Sequence, residues 1–211
     1  MQIILRTAIF CVLSGLFLQC SISNPKKSIE DLKTAFNDES TASLKYSKFA
    51  QVAQKEGHDT ISKLFDAVSE SSNILANTHR KALETLGSRP GFAEIGSFDV
   101  KTTIENLQSA INGEAYEVQT MYPKFIRDAE NEKAPQAGKS FTWAWDTGKK
   151  HMNYFRRAAI SLSKGTTSGF PLTWFLCPVC GNTYNSVDVK PICDFCLSKQ
   201  ESFNGYVQAS E

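Results

Sequence analysis

The sequence predicts an all-α four-helix bundle followed by a small β module built on cysteine knuckles. Three observations carry this. Four stretches between Lys27 and Ser163 repeat apolar residues every three or four positions, the helical period. Gly57 and Gly87 close the first two stretches. Two C-x-x-C pairs, Cys177–Cys180 and Cys193–Cys196, sit near the C-terminus. No cysteine lies between residues 21 and 176, which disfavours a disulfide-rich scaffold.

The first helix opens at Ser28, an expected N-cap followed by Glu30 and Asp31. Its stripe runs Ile29, Leu32, Phe36, Glu39, Ser43, Tyr46, Ala50, Ala53, so Glu39 falls in the middle of the buried face. The second carries Ile61, Phe65, Val68, Ser72, Leu75, His79, Ala82, Leu86. A loop of about 12 residues follows, able to extend about 40 Å. That nearly equals a 28-residue helix of about 42 Å, so the loop can cross the bundle lengthwise. Asp99 is the expected cap of the third helix, whose stripe is Ile104, Leu107, Ile111, Glu114, Val118, Met121, Phe125. Glu117 lies on the edge of that face, and Pro123 should kink the helix. The fourth carries Phe141, Trp145, Gly148, Met152, Phe155, Ala159, Leu162, with His151 also facing inward.

Three carboxylates and at least one histidine therefore converge on the bundle interior. An unpaired buried carboxylate costs several kcal/mol. A metal ion would hold several together; buried Glu–Lys/Arg pairs or neutral, hydrogen-bonded carboxylic acids are the alternative.

In the C-terminal module, twelve residues separate the two cysteine pairs. Two such hairpins place four thiolates tetrahedrally around one metal; two disulfides are the alternative in an oxidising compartment. Gly181 suits a tight turn after the first pair. Tyr184, Phe195, Phe203 and Tyr206 supply a small core. About 35 residues cannot build a stable core alone, which makes metal a folding requirement.

The first 20 residues, MQIILRTAIFCVLSGLFLQC, carry one charge, Arg6, and an apolar run too short for a confident membrane span. They read as a bacterial lipoprotein signal that would lipidate Cys20, with a plain signal peptide or an uncleaved anchor as alternatives. Loss of residues 1–19 removes Cys11 and leaves five cysteines, of which Cys20 is the unpaired one. The expected organisation is a leader (1–19), a tether (20–27), the bundle (28–164), a linker (165–175) and the module (176–211). The expected location is exported and membrane-anchored. A formal net charge of +1 gives no electrostatic case for nucleic acid, and the mature chain without Arg6 is formally neutral. Its anchor would be acyl chains rather than a basic patch.

Glu39–Gly57, ESTASLKYSKFAQVAQKEG, and Gly113–Phe125, GEAYEVQTMYPKF, resemble the first and third ligand helices of the rubrerythrin family. The resemblance covers about residues 28–211 and includes the cysteine module. It implies a ferritin-like bundle holding a carboxylate-bridged di-iron site, a rubredoxin-like electron-donor domain, and reduction of hydrogen peroxide. It also implies a homodimer in which donor and di-iron sites approach across the interface, which the Gly165–Pro171 linker permits.

Carried over residue by residue, Glu39, Glu114, Glu117 and His151 match family ligands. The second-helix Glu-x-x-His positions read Ser72–Asn73–Ile74–Leu75, and the fourth-helix positions read Gly148–Lys149–Lys150–His151. His79, about 20° short of two full turns from Ser72, is a possible compensating ligand, or a buried histidine bonded to a neighbour. Tyr46 and Tyr116 are placed to hydrogen-bond the carboxylates or to pack. In the second knuckle, Asp194 and Leu197 replace the family's proline and small residue. The resemblance favours iron over zinc for Cys177, Cys180, Cys193 and Cys196.

Three functions follow as expectations. One is a peroxide-reducing oxidoreductase whose degraded bundle site holds iron only in part, through Glu39, Glu114, Glu117 and His151. The second is an electron-transfer or metal-binding protein in which only the cysteine site holds metal. The third is a structural lipoprotein with zinc in the knuckles. No electron donor is identified by the sequence.

Overall fold

α1 (Lys26–Lys55) and α2 (Asp59–Thr85) pair through a tight turn at Gly57. Gly57 has φ +78°, a left-handed conformation that a Cβ would strain. The His58 N–H then reaches Ala53 O at 2.8 Å, a bond that closes helix C-termini. Gly87 repeats the device at the end of α2, with φ +76° and Ser88 N–H on Leu83 O at 2.9 Å. The computed structural model describes residues 25–166, 170–171 and 173–207. The expected leader, Cys11 and the expected lipidation site Cys20 lie outside the described residues.

Ser28 is not the cap of α1. It lies inside the helix, buried, and a distant side chain does the capping. Glu132 accepts from Lys27 N–H (3.0 Å), Ser28 N–H (2.7 Å) and Ser28 Oγ–H (2.8 Å). A carboxylate at a helix N-terminus meets both the unpaired N–H groups and the positive end of the helix dipole.

The loop after α2 does run the length of the bundle. Glu94 N–H bonds Asn37 Oδ1 (3.1 Å), Gly96 N–H bonds Thr41 Oγ1 (3.0 Å), and Thr103 N–H bonds Glu56 Oε2 (2.9 Å). The contacts climb α1 from its first half to its end. The loop is longer than expected because Asp99 does not cap the third helix. Thr102 does, in a capping box with Glu105, whose carboxylate accepts from Thr102 N–H at 3.2 Å.

The third rod is α3 (Thr103–Tyr116), a π-helical turn (Glu117–Met121) and α4 (Tyr122–Asn131). The expected disturbance at Pro123 takes this form: the helix widens just ahead of a residue that has no N–H to give. Val118 O is taken instead by the indole Nε1–H of Trp145 at 2.8 Å. The fourth rod is α5 (Pro135–Ser163).

The module is a three-stranded antiparallel sheet in the order β2-β1-β3, with β1 Thr173–Leu176, β2 Thr183–Asn185 and β3 Asn204–Val207. β1 begins inside the segment expected as linker. Its alternation explains this, since Trp174 and Leu176 are fully buried and join the apolar core shared by α1, α2 and α5. Each such side chain removed from water contributes about 1.5–3 kcal/mol. The module is therefore packed on the bundle of its own chain. Among the described residues no helix is long and apolar enough to cross a membrane.

Candidate metal centres

The two knuckles repeat one turn. Gly181 N–H bonds Cys177 O and Leu197 N–H bonds Cys193 O, both at 3.0 Å. Both turn residues have positive φ, +76° at Gly181 and +63° at Leu197. This brings Cys177, Cys180, Cys193 and Cys196 together with their sulfurs within 4.8 Å of one another. Cys177 and Cys196 are 3.3 Å apart, Cys180 and Cys193 3.5 Å. All four thiols are free. A tetrahedron of 2.3 Å metal–sulfur bonds has edges of about 3.8 Å, so the cage is near the size a metal needs. Thiol–thiol hydrogen bonding pushes Cys180 up and Cys193 down. Tyr184, Phe195 and Phe203 pack around the cysteines as expected, joined by Trp143 from α5.

The bundle interior is a second polar centre. Glu39 and Glu114 are buried, at 4% and 3% exposure, and Glu117 is half-buried. Burial first, and then the charge of Glu114, raises the Glu39 pKa to about 8, with the hydroxyls of Tyr122 and Ser72 opposing. Burial likewise pushes Glu117 well above the usual carboxylate range. Tyr122 donates to Glu39 Oε1 at 2.8 Å, and Tyr46 donates to Glu114 Oε1 at 3.1 Å. His151 sets Nδ1 3.4 Å from the same Glu114 oxygen and Nε2 2.9 Å from Thr183 Oγ1 in the module.

His79 is fully buried, with Nδ1 2.7 Å from Ser140 Oγ and Nε2 3.4 Å from Tyr122 OH. Burial lowers its pKa to about 3. One donor order satisfies the chain, with the Thr78 hydroxyl given to Leu75 O at 2.8 Å: Ser140 to His79 Nδ1, His79 Nε2–H to Tyr122, Tyr122 to Glu39. Both nitrogens of His79 are thus engaged by neighbours.

Of the two tyrosines singled out from sequence, Tyr46 meets a carboxylate. Tyr116 does not; it is 59% exposed. Tyr122 takes the place expected of it. The signal was hidden by the π turn, which inserts one residue. Eight steps from Glu114 to Tyr122 act as seven, about 20° from two full turns.

At the positions without family ligands the space is filled. A Cβ on Gly148 would lie 3.1 Å from Glu114 Oε2 and 3.2 Å from Val118 Cγ2. Leu75 meets the module, since a Cβ on Gly181 would lie 2.9 Å from Leu75 Cγ. Ser71 Oγ–H bonds Gly181 O at 2.6 Å beside it. Among the described residues the four cysteines are the one set of three or more His, Cys, Asp or Glu donors within 4.8 Å of one another.

A family model described as Rubrerythrin matches residues 30–159. Rubrerythrin-2 of Clostridium acetobutylicum is 28% identical over 175 residues, covering 83% of this chain and 94% of that protein. Nigerythrin of Nitratidesulfovibrio vulgaris is 29% identical over 181 residues, covering 85% and 86%. The structure of fully reduced, all-ferrous nigerythrin superposes with a TM-score of 0.76 at 27% identity, again over 85% and 86% of the two chains. The family model spans more than half of the chain, and the chain belongs to the rubrerythrin family.

Proposed function

We propose that this chain is a non-haem iron protein of electron transfer, with iron at Cys177, Cys180, Cys193 and Cys196 and a bundle centre that has exchanged its pair of metals for hydrogen bonds. The observation that supports this most is the contrast between the two centres. Four sulfurs share one cage, whereas Glu39, Glu114, His79 and His151 of the bundle are each engaged by a neighbouring side chain. A dinuclear metal site needs carboxylate and imidazole donors from all four helices. Leu75 and Gly148 supply no donor atom, and His79 is bonded on both nitrogens. The residues present do not fit two ions, so no peroxide chemistry is routed through the bundle.

Iron held by four thiolates supplies a one-electron ferric–ferrous couple. The chain's own part is to hold the sulfurs in their cage, donate N–H groups to them and keep them from water; Cys177, Cys180 and Cys193 are fully buried. The visible spectrum of natively purified protein tests the reading. Absorption that bleaches on reduction, and is missing from Cys193→Ser, is expected. A colourless, zinc-loaded protein would favour the structural alternative.

We further propose that the chain is exported and that Cys20 carries its lipid anchor, a reading supported by the leader sequence. Cys20→Ser should leave the membrane fraction or remain unprocessed. Unchanged attachment with the same mature N-terminus would rule this out.

A further inference from the structure

Lys150 lies on α5, in the bundle, yet its ammonium group reaches into the cysteine module. Nζ–H donates to Asn182 Oδ1 at 2.7 Å and to Thr183 O at 3.2 Å. It sits 4.1 Å from the centroid of Tyr184 and 5.4 Å from that of Phe195, both rings beside the cysteines. Asn182 is fully buried. Its amide donates to Tyr184 OH at 2.8 Å and to Cys193 Sγ at 3.7 Å. The amide orientation is fixed by these partners, since the oxygen faces a cation and the nitrogen faces a sulfur and a phenol. Tyr184 OH in turn accepts from Asp194 N–H, inside the second knuckle, at 3.0 Å.

We propose that Lys150 is a positioning and charge-tuning residue of the four-cysteine centre, acting through Asn182 on the Cys193 sulfur. This rests on the reading of that centre as a metal site. The potential of a thiolate-bound iron is set by net charge, hydrogen bonds to the sulfurs and exposure, and Lys150 acts on the first two. Its positive charge favours the reduced centre, which carries one more negative charge than the oxidised one. Its bond to Oδ1 also polarises the amide that donates to sulfur and holds it in place. Tuning therefore depends on the docked arrangement. A bundle residue controls a centre in the other module, and undocking would remove the control.

The test compares full-length, metal-loaded wild type with Lys150→Met, Lys150→Arg, Asn182→Leu and the double variant Lys150→Met/Asn182→Leu. With iron, Lys150→Met should shift the reduction equilibrium about tenfold towards the oxidised form, a potential about 59 mV lower. Lys150→Arg should stay within about threefold of wild type, since it keeps the charge. The double variant should shift by less than the sum of the two single shifts, because part of the Lys150 effect passes through Asn182. A Lys150→Met centre within about twofold of wild type, equal shifts in Met and Arg, or additive shifts in the double variant would each overturn the proposal. If Lys150→Met fails to load, loading of Lys150→Arg supports the proposal and failure of both overturns it. With zinc the readout is chelator extraction, expected about tenfold faster in Lys150→Met, and an unchanged rate overturns it. Wild type that binds no metal refutes the metal-centre reading itself, whereas a loaded centre indifferent to Lys150 refutes this inference alone.

Discussion

Leu197 is a γ-branched residue held at φ +63°, where its partner in the other knuckle is glycine. The left-handed conformation costs a non-glycine residue about 1–2 kcal/mol. Glycine returns about 0.5–1 kcal/mol of that as chain entropy. Leu197 is 76% exposed, so little packing is lost with it. Leu197→Gly should stabilise the module by on the order of 0.5–1 kcal/mol, seen as a higher thermal midpoint for metal release. A lower midpoint would show that the exposed side chain contributes more than its backbone costs.

The buried titratable groups make metal-stripped protein sensitive to pH. Glu39, raised to about 8, keeps its proton in the fold and loses it when unfolded. Its contribution is full below the ordinary carboxylate value and is lost as pH rises towards 8. Glu117, also raised, has the same sign. His79, lowered to about 3, contributes fully above its ordinary 6.5 and less as pH falls. The Glu39 and His79 slopes oppose each other between about 4.5 and 6.5, and from 6.5 to 8 His79 no longer opposes the Glu39 decline. Urea midpoints read by helical circular dichroism should fall between those two pH values, and fall less in Glu39→Gln. A midpoint that rises would contradict the raised carboxylates. The sequence disclosed Glu39, Glu114 and His151 as inward groups because a 3.6-residue period is enough to place them. It did not disclose Tyr122, Ser140 or Thr183, because their partners come from other rods or from the module, and spacing within one helix carries no such information.

At the scale of elements, the rods were legible and their ends were not. Gly57 and Gly87 announce their helix ends through a conformation only glycine adopts freely. Ser28 and Asp99 look like caps, but the caps in place are Glu132, far away in sequence, and Thr102 with Glu105. The threonine–glutamate spacing of Thr102 and Glu105 was a local signal that could have been read. Glu132 at the start of α1 had none, being a contact between rods. It accepts three bonds from Lys27 and Ser28, and these hold its pKa down against the desolvation that opposes them. Glu132→Ala should cost about 1 kcal/mol, measured as loss of bundle stability in urea at neutral pH. An unchanged midpoint would mean that water replaces the carboxylate without penalty. The π turn was likewise announced only by its proline; the inserted residue, and the Trp145 indole that takes Val118 O, belong to packing between rods.

Across the whole molecule, the two centres are joined rather than merely adjacent. Ser71 holds Gly181, Lys150 holds Asn182, and His151 holds Thr183. The sequence established both parts and their order, but the flexible look of residues 165–175 concealed that Trp174 and Leu176 are bundle core. Leu75, at a position where the resemblance to the family implies a histidine, meets the knuckle glycine. The proposed loss of bundle donors and the close docking of the module thus occupy the same ground. The most direct measurement is metal per chain, by element, in natively purified protein and in the variant with Cys177, Cys180, Cys193 and Cys196 all changed to serine. The account predicts one iron per chain, and none in the variant. Two further irons per chain that survive loss of the cysteines would contradict it, because they could lie only in the bundle.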